Sequence, residues 1–307
     1  MTILVAGATG LAGSGILRGF ERAGKTAVGI SSKDVNLLDR KKTFEFIQEL
    51  KPSLIIDAAA RVGGIGANDA FPVNFISENL QIQCNLMDAA HAAKVERFVF
   101  LGSSCIYPRD SAQPYKEEYF LTGLLEKSNS AYAVAKIAGI EMINSYRKQY
   151  GYKWISLMPT NLYGPNDNFD LASSHVLAAF IRKFVEAVDT GIGELTLWGS
   201  GSPRREFLHT DDLADAVVFC TENYDETLHL NIGTGIEISI KSLAELVARV
   251  AGYSGDIHWD ATKPDGTPRK VMDVSRVQKL GWSAQVGLEK GIAETIEWYR
   301  RERLGKP

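Results

Sequence analysis

The stretch Thr2-Ile-Leu-Val-Ala-Gly7-Ala-Thr-Gly10-Leu-Ala-Gly13 restricts the fold of this chain more than any other segment. Ile3 to Ala6 is a short apolar run without helical spacing and reads as a buried strand. After the glycines, Ile16, Leu17 and Phe20 return at helical spacing. A strand, a glycine turn and a helix in that order form a phosphate cradle. The glycines let backbone approach a pyrophosphate, and the helix N-terminus meets its charge. The G-x-x-G-x-x-G spacing therefore predicts a dinucleotide held at Gly7, Gly10 and Gly13.

The next segments alternate in the same way. Ala27 to Ile30 reads as a second strand, Leu54-Ile-Ile-Asp-Ala-Ala-Ala as a third and its exit, Phe98 to Leu101 as a fourth and Trp154 to Met158 as a fifth. Helical patterns lie between them, one capped by Asp39 and others over 76–93 and from Ser130 to Tyr150. Alternation of this kind predicts α/β architecture, a Rossmann-type doubly wound parallel sheet. Regularity breaks at the polar run Asn166-Asp-Asn-Phe-Asp. We therefore expect a dinucleotide-binding domain over 1–165 and a smaller mixed α/β substrate lobe over 166–307, with about 203–225 returning to the first domain. In the second part helices are expected over 175–188, 211–222, 240–251 and 288–303, and short strands near 195–197 and 228–231.

Open sheets of this class bind ligands at the C-terminal ends of their strands, and several chemically capable residues fall there. After the second strand come Ser31, Ser32 and Lys33, where an acid would bind ribose hydroxyls. Hydroxyls and an ammonium suit a 2′-phosphate, so NADP is expected, although Asp34 follows closely. Arg61-Val-Gly-Gly-Ile-Gly-Ala-Asn68 is a glycine-rich loop after the third strand. Gly102-Ser103-Ser104-Cys105 puts two hydroxyls and a thiol after the fourth. Tyr132 and Lys136 stand four apart on a helix and so share a face. A cation beside a phenol favours phenolate, so Tyr132 is expected to titrate below the usual value of about 10 and to serve as a general acid.

Taken together these motifs resemble the extended short-chain dehydrogenase/reductase family. Gly102-Ser-Ser-Cys-Ile-Tyr-Pro, Tyr132-Ala-Val-Ala-Lys-Ile-Ala-Gly, Met158-Pro-Thr-Asn-Leu-Tyr-Gly-Pro, Trp198-Gly-Ser-Gly, Arg205-Glu-Phe-Leu-His and Lys263-Pro-Asp-Gly-Thr-Pro-Arg-Lys270 look, within it, like the GDP-L-fucose synthase branch. The resemblance covers essentially the whole chain. It departs from the branch at Ala8-Thr9 and over Ser31 to Val35, both at the adenosine phosphate end. It implies inversion of carbons 3 and 5 of GDP-4-keto-6-deoxy-D-mannose followed by NADPH-dependent reduction at carbon 4.

Residue by residue, the resemblance makes Ser103, Cys105, Tyr132, Lys136 and His175 catalytic. Cys105 would be the base and His175 the acid of the inversions. Beyond the glycines, Leu11, Ala12, Lys33, Leu101, Gly102, Ser103, Ser104, Tyr132, Lys136, Pro159, Thr160, Asn161, Leu162 and His175 would contact the cofactor. Lys183, Trp198, Arg205, Asp265 and Lys270 would hold the GDP-sugar. Asp211 and Asp212 fit a helix N-terminus without chemistry. A homodimer is also implied. Alternatives are a colitose-type enzyme on another GDP-4-keto-deoxyhexose, a nucleotide-sugar 4-epimerase, or an NADP-binding module without catalysis.

Composition removes other classes. A net charge of −3 gives no footprint for nucleic acid or an acidic membrane surface. Cys84, Cys105 and Cys220 have neither metal spacing nor a disulfide pattern and suit a reducing compartment. With no expected secretory signal or membrane span, a cytoplasmic location is expected.

Overall fold

The computed structural model describes residues 2–263 and 265–303. In chain order the elements are β1 (Ile3–Ala6), α1 (Leu11–Arg22), β2 (Ala27–Ile30), α2 (Arg40–Leu50), β3 (Leu54–Asp57), α3 (Ile65–Ala70), α4 (Pro72–Ala92), β4 (Arg97–Leu101), α5 (Ser130–Tyr150), β5 (Ile155–Pro159) and β6 (Asn161–Tyr163). Then follow α6 (Val176–Thr190), β7 (Glu194–Trp198), β8 (Arg204–His209), α7 (Thr210–Asn223), β9 (Leu230–Ile232), β10 (Glu237–Ser239), α8 (Ile240–Ala251), β11 (Asp256–Asp260), β12 (Arg269–Lys270), α9 (Ser275–Leu280) and α10 (Leu288–Arg303).

Six strands among the described residues form one parallel sheet in the order β2-β1-β3-β4-β5-β9. Helices cover both faces: α1 packs with α7, while α2, α4 and α5 pack in a row. Strands covered on both sides need apolar residues throughout, which explains why β1, β3 and β5 are buried along their whole length. Gly19 lets α7 come close to α1, since a Cβ there would lie 2.6 Å from that of Ala214. This doubly wound parallel architecture is the one the alternating pattern predicts.

β8 carries a second small sheet, flanked by β10 antiparallel and by β12 and β6 parallel. β7 and β11 form a parallel ribbon. A separate apolar core, including Phe184, Val247 and Ile292, lies among α6, α8 and α10. The two parts interleave in sequence. α7 and β9 belong to the large sheet layer and its core, although they follow the first segments of the lobe.

Local signals agree with most elements. Asp39 accepts a bond from the Lys42 amide at 3.1 Å and caps α2. Asp211 and Asp212 stand in the first turn of α7. Asp211 pairs with Arg18, and Asp212 receives the amides of Gln285 and Val286. Ser130 opens α5 where the helical pattern begins. It is the first helical residue, its hydroxyl donates to the Lys127 carbonyl, and Asn129 occupies the cap position. β6, β10 and β12 are two or three residues long, too short for a periodic pattern to reveal.

Candidate active site

The glycine turn opens at the point where the sheet order reverses, between β1 and β3. Gly7 has φ +78°, and a Cβ there would lie 2.7 Å from the Ala58 carbonyl oxygen beyond β3. A Cβ on Gly13 would lie 2.2 Å from the Gly7 carbonyl oxygen. The cradle is thus built from backbone packed on backbone. Gly10 caps α1 without a side-chain bond, and the first turn, with Leu11 and Ala12, carries no acid. Its amides are available to a phosphate, so the local chemistry fits a dinucleotide.

The other expected cofactor residues line the same sheet edge. Leu101 ends β4, and Gly102, Ser103 and Ser104 follow it. Pro159 ends β5, the Thr160 amide donates to Ile232, and Asn161 and Leu162 open β6. The Asn161 amide group donates to the Glu206 carbonyl at 2.7 Å. Lys33 stands exposed in the turn after β2. Beside it Asp34 folds back, accepting bonds from both the amide and the hydroxyl of Ser31 at 2.8 Å. Those bonds hold the Asp34 carboxyl below its ordinary range.

Ser103 is extended and caps a single helical turn at Ser104–Ile106, its hydroxyl accepting the Cys105 amide at 3.4 Å. That turn buries the Cys105 thiol at 6% exposure. Tyr132 and Lys136 rise from the first turns of α5. Lys136 is 4% exposed, donates to the Leu101 carbonyl at 2.7 Å, and lies 5.8 Å from the centre of the Tyr132 ring. The Tyr132 ring meets Phe75 of α4 edge-on.

The titration of Tyr132 departs from the sequence expectation. Burial pushes the phenol well above its ordinary value, with the neighbouring Cys105 adding to the rise. Desolvation therefore outweighs the nearby cation. The phenol is firmly protonated, which suits a proton donor. Burial likewise lowers Lys136, opposed by Asp57 and Cys105.

His175 caps α6. Burial and the cation of Lys270 both lower its pKa, keeping the imidazole neutral. Burial raises Cys105, against the pull of Lys270, Ser103 and Lys136. Lys270 thus faces both the thiol and the imidazole. Tyr132, His175 and Lys270 keep part of their surface open to solvent, yet protein surrounds them closely enough to penalise charge. Both statements hold for side chains on the walls of a deep cleft.

The lobe supplies the remaining candidates. Lys270 on β12 is the register partner of Arg205 on β8, setting two cations side by side. Asp265 accepts the amide and hydroxyl of Ser200, both at 2.7 Å, and is an electrostatic neighbour of Arg205. Trp198, at the end of β7, is 67% exposed and so is not a core residue. Lys263 lies over its ring at 5.6 Å. Lys183 on α6 reaches toward the Thr196 carbonyl at 3.5 Å. Contacts and electrostatic pairs therefore run continuously from Tyr132 and Cys105 through Lys270 to Arg205 and Asp265. The cleft can protonate a carbonyl oxygen, move protons at adjacent carbons and bind an anion beside them.

One buried acid escaped the sequence reading. Asp57 ends the otherwise apolar β3, is 1% exposed and is an electrostatic partner of Lys136. Its signal was available as a carboxylate closing a Leu-Ile-Ile strand.

Residues 3–233 match the NAD dependent epimerase/dehydratase family. This chain belongs to that family. It is 52% identical over 300 residues to a probable GDP-L-fucose synthase 1 of Oryza sativa subsp. japonica, covering 97% of this chain and 91% of the relative. It is 44% identical over 307 residues to a GDP-L-fucose synthase of Escherichia coli (strain K12), covering 97% and 96%. Among solved structures, a GDP-mannoheptose C4 reductase from Campylobacter jejuni with NADP bound superposes with a TM-score of 0.89 at 35% identity, covering 97% of this chain and 98% of that one.

Proposed function

We propose that this family member is a bifunctional enzyme. It inverts carbons 3 and 5 of GDP-4-keto-6-deoxy-D-mannose, then reduces carbon 4 with NADPH to give GDP-L-fucose. The observation that carries the reading is that Cys105 is an electrostatic neighbour both of a first group, Tyr132 and Lys136, and of Lys270, which in turn neighbours His175 and Arg205. A reductase alone needs only the first group. The likeness to enzymes named for this reaction supports the substrate.

The chemistry follows from one ketone. Both inverted carbons flank it, so Ser103 and Tyr132, donating to its oxygen, stabilise the enolate formed at either position. Cys105 removes the proton from one face and His175 returns one to the other. The free site rests as thiol and neutral imidazole, so the working pair is the less populated protonation state. The pH profile of epimerisation is accordingly bell-shaped, with limits that belong to the pair. NADPH supplies the hydride for the last step. Tyr132, kept protonated by burial, gives its proton to the oxygen of carbon 4, and Lys136 would hold the cofactor's ribose.

Gly7, Gly10, Gly13 and the first turn of α1 would bind the pyrophosphate. Lys33, with the Ser32 hydroxyl, would meet the 2′-phosphate. Arg205 and Lys270 would meet the substrate diphosphate through charge-assisted bonds, with Lys183 beside them and Asp265 toward the nucleoside. Trp198 would stack on the guanine. The unpaired thiols and a nucleotide-sugar substrate favour the cytoplasm. A homodimer packed through helices that include α5 follows the family resemblance.

The test mixes purified protein, GDP-4-keto-6-deoxy-D-mannose and NADPH and follows nicotinamide absorbance. Oxidation with formation of GDP-L-fucose is expected; none above background overturns the reading. In deuterated water Cys105→Ser should block label entry at carbons 3 and 5, whereas His175→Asn should allow entry without inversion. Normal labelling in the Cys105 variant would remove the thiol as base.

A further inference from the structure

The strand end at Asp57 lies outside every role assigned above. Its Oδ1 accepts the Ala59 amide at 3.2 Å, while Oδ2 is buried with no hydrogen-bond partner. Asp57 is the register partner of Phe100 on β4. Paired residues of neighbouring strands project from the same face of a sheet. The face is identified by Phe100, whose ring lies 4.7 Å from Lys136 Nζ and occupies the space beside Gly139 of α5. Carboxylate and ammonium therefore enter one layer, from the sheet and from the helix. The Lys136 ammonium donates to the carbonyl of Leu101, the residue after Phe100.

We propose that Asp57 is a positioning residue for the reduction: it is the buried counter-ion that keeps Lys136 charged and aimed at the end of β4. The proposal rests on the roles given above to Tyr132 and Lys136. A buried ammonium with one carbonyl partner is poorly compensated, and so is a buried carboxylate with one amide. Each supplies the charge the other lacks. The charged and titratable groups facing Lys136 are Asp57 from β3, Tyr132 from α5 and Cys105 from the turn after β4. The packed face of α4 contributes the neutral Gln83, bonded to the Ala135 carbonyl, and Asn79, bonded to Arg61. Cys105 is held in its neutral form by burial, which leaves Asp57 as the anion. Consistent with this, burial raises Asp57 to about 6 and Lys136 pulls it back down.

Two measurements on Asp57→Asn test this. In a thermal-stability cycle with Lys136→Met, the double variant should lose less than the sum of the single losses. Additive losses would overturn the pairing. In the pH dependence of kcat for NADPH oxidation by the 4-keto sugar nucleotide, the alkaline limb should move to lower pH by about one to three units, as expected for loss of an adjacent opposite charge. Asp57→Glu should move the limb back. An unchanged limb in the Asn variant overturns the positioning role. If the unaltered enzyme oxidises no NADPH with this substrate, the functional reading fails, while the stability cycle still decides the ion pair. Asp57→Ser replaces the Asn variant if that chain does not fold.

Discussion

At the glycine turn this protein packs backbone against backbone, with no room for a Cβ on Gly7 or Gly13. In the lobe, by contrast, Trp198 lies largely in solvent and Lys183 is anchored by one long contact to a carbonyl. One region is shaped before a ligand arrives. The other presents side chains whose order a ligand would complete. The difference matches the two tasks: a pyrophosphate is recognised by close amides, which demand a fixed backbone, whereas a base and a diphosphate are recognised by stacking and by mobile cations.

Gly13→Ala attacks the rigid side and should have the largest effect. The added carbon would sit 2.2 Å from the Gly7 carbonyl oxygen and 2.7 Å from its carbon, both backbone atoms. Overpacking of about 3 kcal/mol would weaken NADPH binding by roughly 100-fold, read by quenching of protein fluorescence. Binding within threefold of the original would show that the cradle yields. Trp198→Ala attacks the open side. Loss of stacking worth about 1–3 kcal/mol should raise KM for the sugar nucleotide about tenfold, with melting temperature and NADPH binding unchanged. A fall in melting temperature would make Trp198 structural.

Asp167→Asn gives the smallest effect and asks whether the segment between β6 and α6 is tuned for stability. Asp167 is 4% exposed, and burial raises its carboxyl to about 7 from an unfolded value of 3.8. A carboxyl raised by folding binds its proton more tightly in the folded state. Its stabilisation is complete below the unfolded value and disappears as pH climbs through about 7. The Asn variant should therefore melt about 2–4 °C higher at pH 8 and no higher below pH 3.8. An equal shift at both pH values would assign the change to packing.

Sequence alone determined the large sheet and its ligand edge. β1, the glycine turn, Ser103 and the Tyr132–Lys136 pair lie in contiguous segments whose spacing carries their geometry, because one strand or one helical turn suffices to place them. Motif resemblance extended that reading to Cys105, His175 and the lobe. What the tertiary structure decided concerns neighbours far apart in the chain. Lys270 is the electrostatic neighbour of Cys105 and His175 because β12 pairs with β8, and Asp57 that of Lys136 because β3 lies beside β4. The same packing reversed the expected titration of Tyr132. A helical repeat shows that a lysine is near, but desolvation by Phe75 and the rest of the cleft wall dominates the phenol, and burial is a property of the assembled fold.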